Sequence, residues 1–144
     1  MIPFRVKGLD HVVLRVADLP RALAFYREVV GAAVEREQAS IGLTQLRIGA
    51  SLIDLIPLDG QLGRMGGAGP GREGRNLDHF AVQVTPFDEP AIRAHLAAHG
   101  IAVTNSGQRY GAEGDGPSIY ISDPDGNTVE LKGPAGVSAD SAPR

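Results

Sequence analysis

The sequence predicts an α+β fold of two βαβββ modules in tandem, and three observations predict it. Leu-Asp-His is written twice, in "LDHVVLRV" (9–16) and "LDHFAVQV" (77–84), each time at the head of an alternating run. Each run leads into a helix-forming stretch closed by glycine, and the spacing agrees: the histidines lie 68 residues apart and the closing glycines, Gly31 and Gly100, 69. Each half also ends on an alternating segment, "SLIDL" (51–55) and "NTVEL" (127–131), that aligns with its mate. Repetition at a fixed spacing is the mark of one supersecondary unit used twice.

The elements follow in order. The first strand spans 9–16. In "ADLPRALAFYREVVG", Asp18 is placed to cap a helix and Pro20 suits its first turn. Leu23, Tyr26 and Val30, with Ala22, Phe25 and Val29, form its apolar face. Alternating stretches over 33–38, 43–48 and 51–56 complete the module, the last two joined as a hairpin through "IGAS". Residues 60–76 hold seven glycines and show no periodicity, which predicts a linker or lid. The second module repeats the plan: a strand over 77–84, a helix capped by Asp88 with Ile92 and Leu96 toward the core, and strands near 101–104, 118–122 and 127–132. "DPDGN" forms the last hairpin turn. The expected organisation is an extension over 1–7, module one over 8–59, the linker over 60–76, module two over 77–133 and a disordered tail over 134–144.

Composition removes several function classes. With no cysteine, disulfides, thiolate metal sites and cysteine nucleophiles are excluded. A net charge of −3 argues against nucleic acid as a partner. No apolar run suits a signal peptide or a membrane span, so no membrane partner and a cytoplasmic location are expected. "HLAAH" (95–99) lacks the glutamate of a zinc-protease motif and reads as an exposed helix end.

Alternation sorts each strand into two faces. Val12, Leu14 and Val16 turn toward the helix, leaving His11, Val13 and Arg15 opposite. Phe80, Val82 and Val84 pack, leaving His79, Ala81 and Gln83. Ile53 and Leu55 pack while Asp54 opposes them, and Val129 and Leu131 pack while Thr128, Glu130 and Lys132 oppose them. Asp54 and Glu130 are therefore mates in the repeat, as His11 and His79 are. Polar faces that wrap one cleft would bring together two imidazoles and one or two carboxylates, a set suited to a divalent first-row metal (Ni, Zn, Co, Mn or Fe). Asp10 and Asp78 fall on the helix side or edge and read as structural. The stretch 106–120, "SGQRYGAEGDGPSIY", reads as a substrate-covering loop with Arg109 on an anion and Tyr110 and Tyr120 on the cleft.

"LDHVVLRVADLPRALAFYREVVG", "LDHFAVQV" and "SIYISDPDGNTVELKG" resemble the vicinal oxygen chelate superfamily, which includes glyoxalase I, fosfomycin-resistance thiol transferases, extradiol dioxygenases and bleomycin-resistance proteins. The resemblance covers roughly residues 8–133. It implies open, curled mixed sheets around a metal-binding cleft, with one divalent ion held by His11, His79 and Glu130. Asp54 matches the place of a fourth ligand that is a glutamate in glyoxalase I, one methylene longer. The favoured activity is a glyoxalase I-like lyase or isomerase acting on a small vicinal-oxygen substrate through a metal-stabilised enediolate, with Glu130 or Asp54 shuttling the proton. Arg15, Arg47, Gln83, Arg109, Tyr110, Tyr120 and Lys132 are the expected substrate contacts. The alternatives are an Fe(II) ring-cleaving dioxygenase, a fosfomycin-type thiol transferase, and a non-catalytic small-molecule binding protein. Proteins of this length in the family often form homodimers, which implies a cleft drawing His11 and Asp54 from one subunit and His79 and Glu130 from the other.

Overall fold

The computed structural model describes residues 1–137. The first repeat comprises β1 (His11–Val16), α1 (Leu19–Ala24, prolonged by a π-helical stretch over Phe25–Val30), β2 (Ala33–Gln38), β3 (Leu43–Ile48) and β4 (Ser51–Pro57). The second comprises β5 (His79–Gln83), α2 (Glu89–Ala98), β6 (Asn105–Gly111), β7 (Gly114–Ser122) and β8 (Thr128–Lys132). Both helices start as their sequences dictate. The Asp18 carboxylate accepts from the Arg21 amide and the Asp88 carboxylate from the Ala91 amide, each at 3.1 Å. Caps of this kind contribute about 1 kcal/mol each by satisfying a first-turn N–H.

The strands form two open four-stranded mixed sheets, ordered β1-β4-β3-β2 and β5-β8-β7-β6. In each sheet the first and last strands of the repeat pair in parallel and the others pair antiparallel. The result is the α+β, tandem βαβββ architecture that the repetition predicts. Leu14, Val16, Ile53, Leu55, Ile119, Ile121 and Val129 are buried in one continuous core with Tyr26 and Leu96 from the helices.

That core joins the repeats. Tyr26, from the first helix, stacks on Phe80 of β5 and donates its hydroxyl to Asp123 Oδ2 at 2.6 Å. Asp123 lies in the "DPDGN" turn between β7 and β8 and also accepts from the backbone amides of Asp125 and Asn127. A buried carboxylate is tolerable only when its oxygens are paired in this way. Asp125 accepts from the Ala17 amide, and the Asn76 side-chain amide donates to Arg15 O and Asn127 Oδ1. The hairpin turn of one repeat is thereby bolted to the end of β1 in the other.

Two sequence expectations change. The strand expected over 101–104 instead runs over Asn105–Gly111, and its partner begins at Gly114 rather than 118. Ile101 and Val103 do pack on the core, but as an extended approach to the sheet. The pairing itself belongs to the glycine-rich, polar stretch, which composition alone reads as loop. The substrate-covering loop expected over 106–120 is therefore a β-hairpin turned by Ala112 and Glu113. Within the 60–76 segment there are local contacts with the first repeat. Gly63 is buried so tightly that a Cβ there would meet Pro57 O at 1.9 Å, and Leu62 N donates to Ile41 O. Of the expected tail, residues 134–137 carry hydrogen bonds from Gly136 N to Asp115 O and from Gln108 Nε2 to Val137 O. The remainder lies outside the described residues. No helix among the described residues is long and apolar enough to cross a membrane.

Candidate functional site

The register places each histidine beside a carboxylate. In the first sheet His11 is opposite Leu52 and Val13 opposite Asp54; in the second His79 is opposite Thr128 and Ala81 opposite Glu130. Each carboxylate is thus the same-face diagonal neighbour of its histidine, with the same offset in both repeats. Diagonal neighbours across paired strands are within reach of long side chains. His79 Nε2 lies 3.3 Å from Glu130 Oε2, and His11 Nε2 lies 3.9 Å from Asp54 Oδ2. The wider gap falls where the carboxylate is one methylene shorter.

Asp10 and Asp78, read from sequence as structural, are partners of the imidazoles. Asp10 Oδ1 lies 2.7 Å from His11 Nδ1, and Asp78 Oδ2 lies 2.6 Å from His79 Nδ1. The doubled Leu-Asp-His was their signal in the sequence. Hydrogen bonding to Asp10 first, and then the charge of Asp54, raise the His11 pKa above its ordinary 6.5. Hydrogen bonding to His79 first, and then the charge of Arg75, lower the Asp78 pKa.

The carboxylates are oriented as well. Ser118 Oγ donates to Glu130 Oε1 at 2.6 Å, which leaves Oε2 facing His79. Gln45 Nε2 lies 3.2 and 3.3 Å from the two Asp54 oxygens. Asp54 and Glu130 are buried, while the histidine side chains remain 45% and 40% exposed. Ser118 and Gln45 carried no signal in the sequence, because only the antiparallel pairings of β7 with β8 and β3 with β4 bring them alongside.

His11 and His79 border one cavity of about 450 Å³, together with Leu9, Leu52, Leu77 and Phe80. Glu130 borders a neighbouring cavity of about 500 Å³ with Gln83, Tyr110 and Lys132. Among the described residues no three His, Asp or Glu groups gather closely enough to hold one ion.

The expected substrate contacts divide. Tyr120 packs its ring edge-on to His79 at 5.8 Å, and the Arg109 guanidinium lies 5.6 Å above the Tyr120 ring. Burial first, and then the charge of Glu130, raise the Tyr120 pKa. Arg15 is taken up by the linker, donating to Gly67 O at 3.2 Å, and Arg47 is paired with Glu35 at 2.7 Å. Tyr110 is 83% exposed at the cavity rim.

The chain thus presents paired βαβββ repeats, each with a histidine on its first strand and an acid on its last. The chain matches the Glyoxalase/Bleomycin resistance protein/Dioxygenase superfamily over residues 8–131 and belongs to it. It is 32% identical over 132 residues to virulence protein STM3117 of Salmonella typhimurium, covering 88% of this chain and 83% of that protein. The crystal structure of that relative superposes with a TM-score of 0.71, covering 91% of this chain and 99% of that one at 25% identity. Lactoylglutathione lyase from Agrobacterium tumefaciens (TM-score 0.65, 22% identity, 89% and 94% coverage) and the fosfomycin resistance protein FosX from Listeria monocytogenes (0.67, 23%, 89% and 92%) share the fold.

Proposed function

We propose that the protein is a divalent-metal-dependent enzyme, a glyoxalase I-like lyase or isomerase, whose site is completed by a second copy of the chain. His11, His79 and Glu130 would hold the ion, and Asp54 would ligate it or act beside it. The observation that carries this reading is the way the imidazoles face the carboxylates. With Nδ1 hydrogen-bonded to Asp10 or Asp78, a neutral imidazole turns the Nε2 lone pair toward a carboxylate oxygen. Two acceptors in that position repel unless a cation lies between them or a proton joins them. Imidazole and carboxylate are donors that Ni, Zn, Co, Mn and Fe accept, so the donor set fits the group the family implies.

Among the described residues each chain supplies two such pairs and no triad, which supports a site assembled from His11 and Asp54 of one subunit with His79 and Glu130 of another. In a two-fold dimer such a site occurs twice. An ion held there would supply Lewis acidity toward adjacent oxygens of a bound substrate. The chain's own contribution is proton transfer. Glu130, whose Oε1 is held by Ser118, or Asp54 would take a proton from the carbon next to a carbonyl and return it to the neighbouring carbon. Tyr120, packed edge-on to His79, would wall that side of the cleft. A ring-cleaving dioxygenase, a thiol transferase and a non-catalytic ligand-binding protein are the rival readings.

Metal analysis of untagged protein, as purified and after reconstitution, tests the proposal. Stoichiometric metal in wild type that is lost in H11A, H79A and E130A supports it. Its absence from wild type under both conditions overturns it in favour of ligand binding. Iron would select oxygen-uptake assays with catechols; nickel, zinc, cobalt or manganese would select hemithioacetals and phosphonates.

A further inference from the structure

Lys132 is a buried basic side chain that enters no ion pair among the described residues. The residue is 6% exposed, and its ammonium donates to a single carbonyl, Gly133 O, at 3.2 Å. Lysine is almost never so buried without a partner, since removing an uncompensated charge from water is costly. The ammonium has three donors, and one backbone acceptor leaves it under-used. Glu130, two residues back on the same face of β8, does not pair with it: one of its oxygens takes the Ser118 hydroxyl and the other faces His79.

The fold clears space for this side chain. A Cβ on Gly111 would lie 2.9 Å from Lys132 Cε, and one on Gly116 would lie 2.7 Å from Nζ. The same hairpin clears space for Arg109, because a Cβ on Gly107 would lie 2.6 Å from its Nη1. Arg109 also lacks an acidic partner among the described residues; it donates to Gln108 O and stacks over Tyr120. The glycines of β6 and β7 thus clear room for two basic side chains that enter no ion pair among the described residues, and Lys132 shares a face of β8 with Glu130. Lys132 and Glu130 border the same cavity, together with Gln83 and Tyr110.

We propose that Lys132, assisted by Arg109, binds an oxyanion of the substrate, a carboxylate or a phosphonate, next to Glu130. The inference rests on the proposed function in taking this cleft as the substrate site, and it narrows the substrate to an anion. Residues two apart on a strand are separated by roughly 7 Å. An anionic group on Lys132 therefore sets the reacting atoms of a small substrate against Glu130 Oε2. A cation buried in wait for its counter-charge becomes paired only when that substrate arrives.

The test is titration of the purified protein with inorganic phosphate, methylphosphonate and acetate, followed by calorimetry and by the shift in melting temperature. Wild type, Lys132→Met, Arg109→Gln and H79A are compared, with metal content measured on every sample. Methylphosphonate and acetate separate the two oxyanion classes. At least one anion is expected to bind wild type, at least tenfold more weakly in Lys132→Met and several-fold more weakly in Arg109→Gln. Lys132→Met is expected to melt no lower than wild type, because Met fills the same channel without charge. Unchanged binding in both basic-residue variants, or no anion binding by wild type, overturns the inference. Binding lost in H79A but kept in Lys132→Met also overturns it, by placing the anion on the metal, and leaves the proposed function standing. Absence of metal from every sample together with loss of binding in Lys132→Met does the reverse.

Discussion

Glu130 Oε2 lies 3.3 Å from His79 Nε2, on the bottom of a sheet face where the glutamate is buried and the imidazole is open to solvent. The first repeat reproduces the relationship at 3.9 Å between Asp54 and His11. The difference in reach makes the two halves unequal partners for a cation. Glu130→Ala is expected to abolish metal retention, whereas Asp54→Ala weakens it about tenfold or less, the cost of one poorly placed ligand. Asp54→Glu, which restores the missing methylene, tightens metal binding instead. Metal titration with a competing chelator measures all three, and equal losses in E130A and D54A would contradict the inequality.

Asp10 and Asp78 orient the imidazoles from outside the donor set. Both carboxylates are largely exposed, so Asp10→Asn and Asp78→Asn leave the fold intact while reducing metal affinity by about 10–100-fold. Unchanged metal affinity with an unchanged melting temperature would remove the two aspartates from the site.

A site shared between subunits makes an asymmetric prediction about mixtures. H11A and H79A proteins are each expected to be inactive and metal-poor. Unfolded together and refolded, they form heterodimers in which one of the two sites regains every ligand. Random pairing then restores roughly a quarter of the wild-type sites. No recovery of metal or activity, with heterodimers shown to form, would place the site within one chain.

The Tyr26–Asp123 bond should make stability fall at alkaline pH. Burial first, and then the charge of Asp123, push the Tyr26 pKa far above the usual tyrosine range. The folded state therefore keeps a proton that the unfolded state loses above about pH 10. Stability from this source is fully present below that value and declines as pH rises beyond it. Tyr26→Phe removes one donor from a buried carboxylate, costs about 1–3 kcal/mol at pH 7, and flattens the alkaline decline. Urea unfolding at pH 7 and above pH 10 measures both. An equal alkaline slope in wild type and variant would exclude Tyr26 as its source.

Much of the fold and half of the candidate site were legible in the sequence, and the reason is local. Strand side chains alternate with a period of two, so "LDHVVLRV" and "NTVEL" declare which residues share a face before any partner strand is known. Repetition then made His11 and His79, Asp54 and Glu130, equivalent positions. What the tertiary structure alone decided depends on pairing and burial, which no single segment encodes. The β6 strand was misplaced because its glycines and polar residues pair by backbone ladder, not by apolar pattern. Ser118 reaches Glu130, and Gln45 reaches Asp54, only through antiparallel registers set by distant residues. Lys132 reads in sequence as a substrate contact on the polar face of the last strand, but its burial there, against the glycines of β6 and β7, follows only from the packed hairpin. Where the two histidine–carboxylate pairs lie relative to each other is likewise a matter of how the sheets are set together: the repeat dictates that the halves are alike, and only packing decides that among the described residues no three such groups gather at one point.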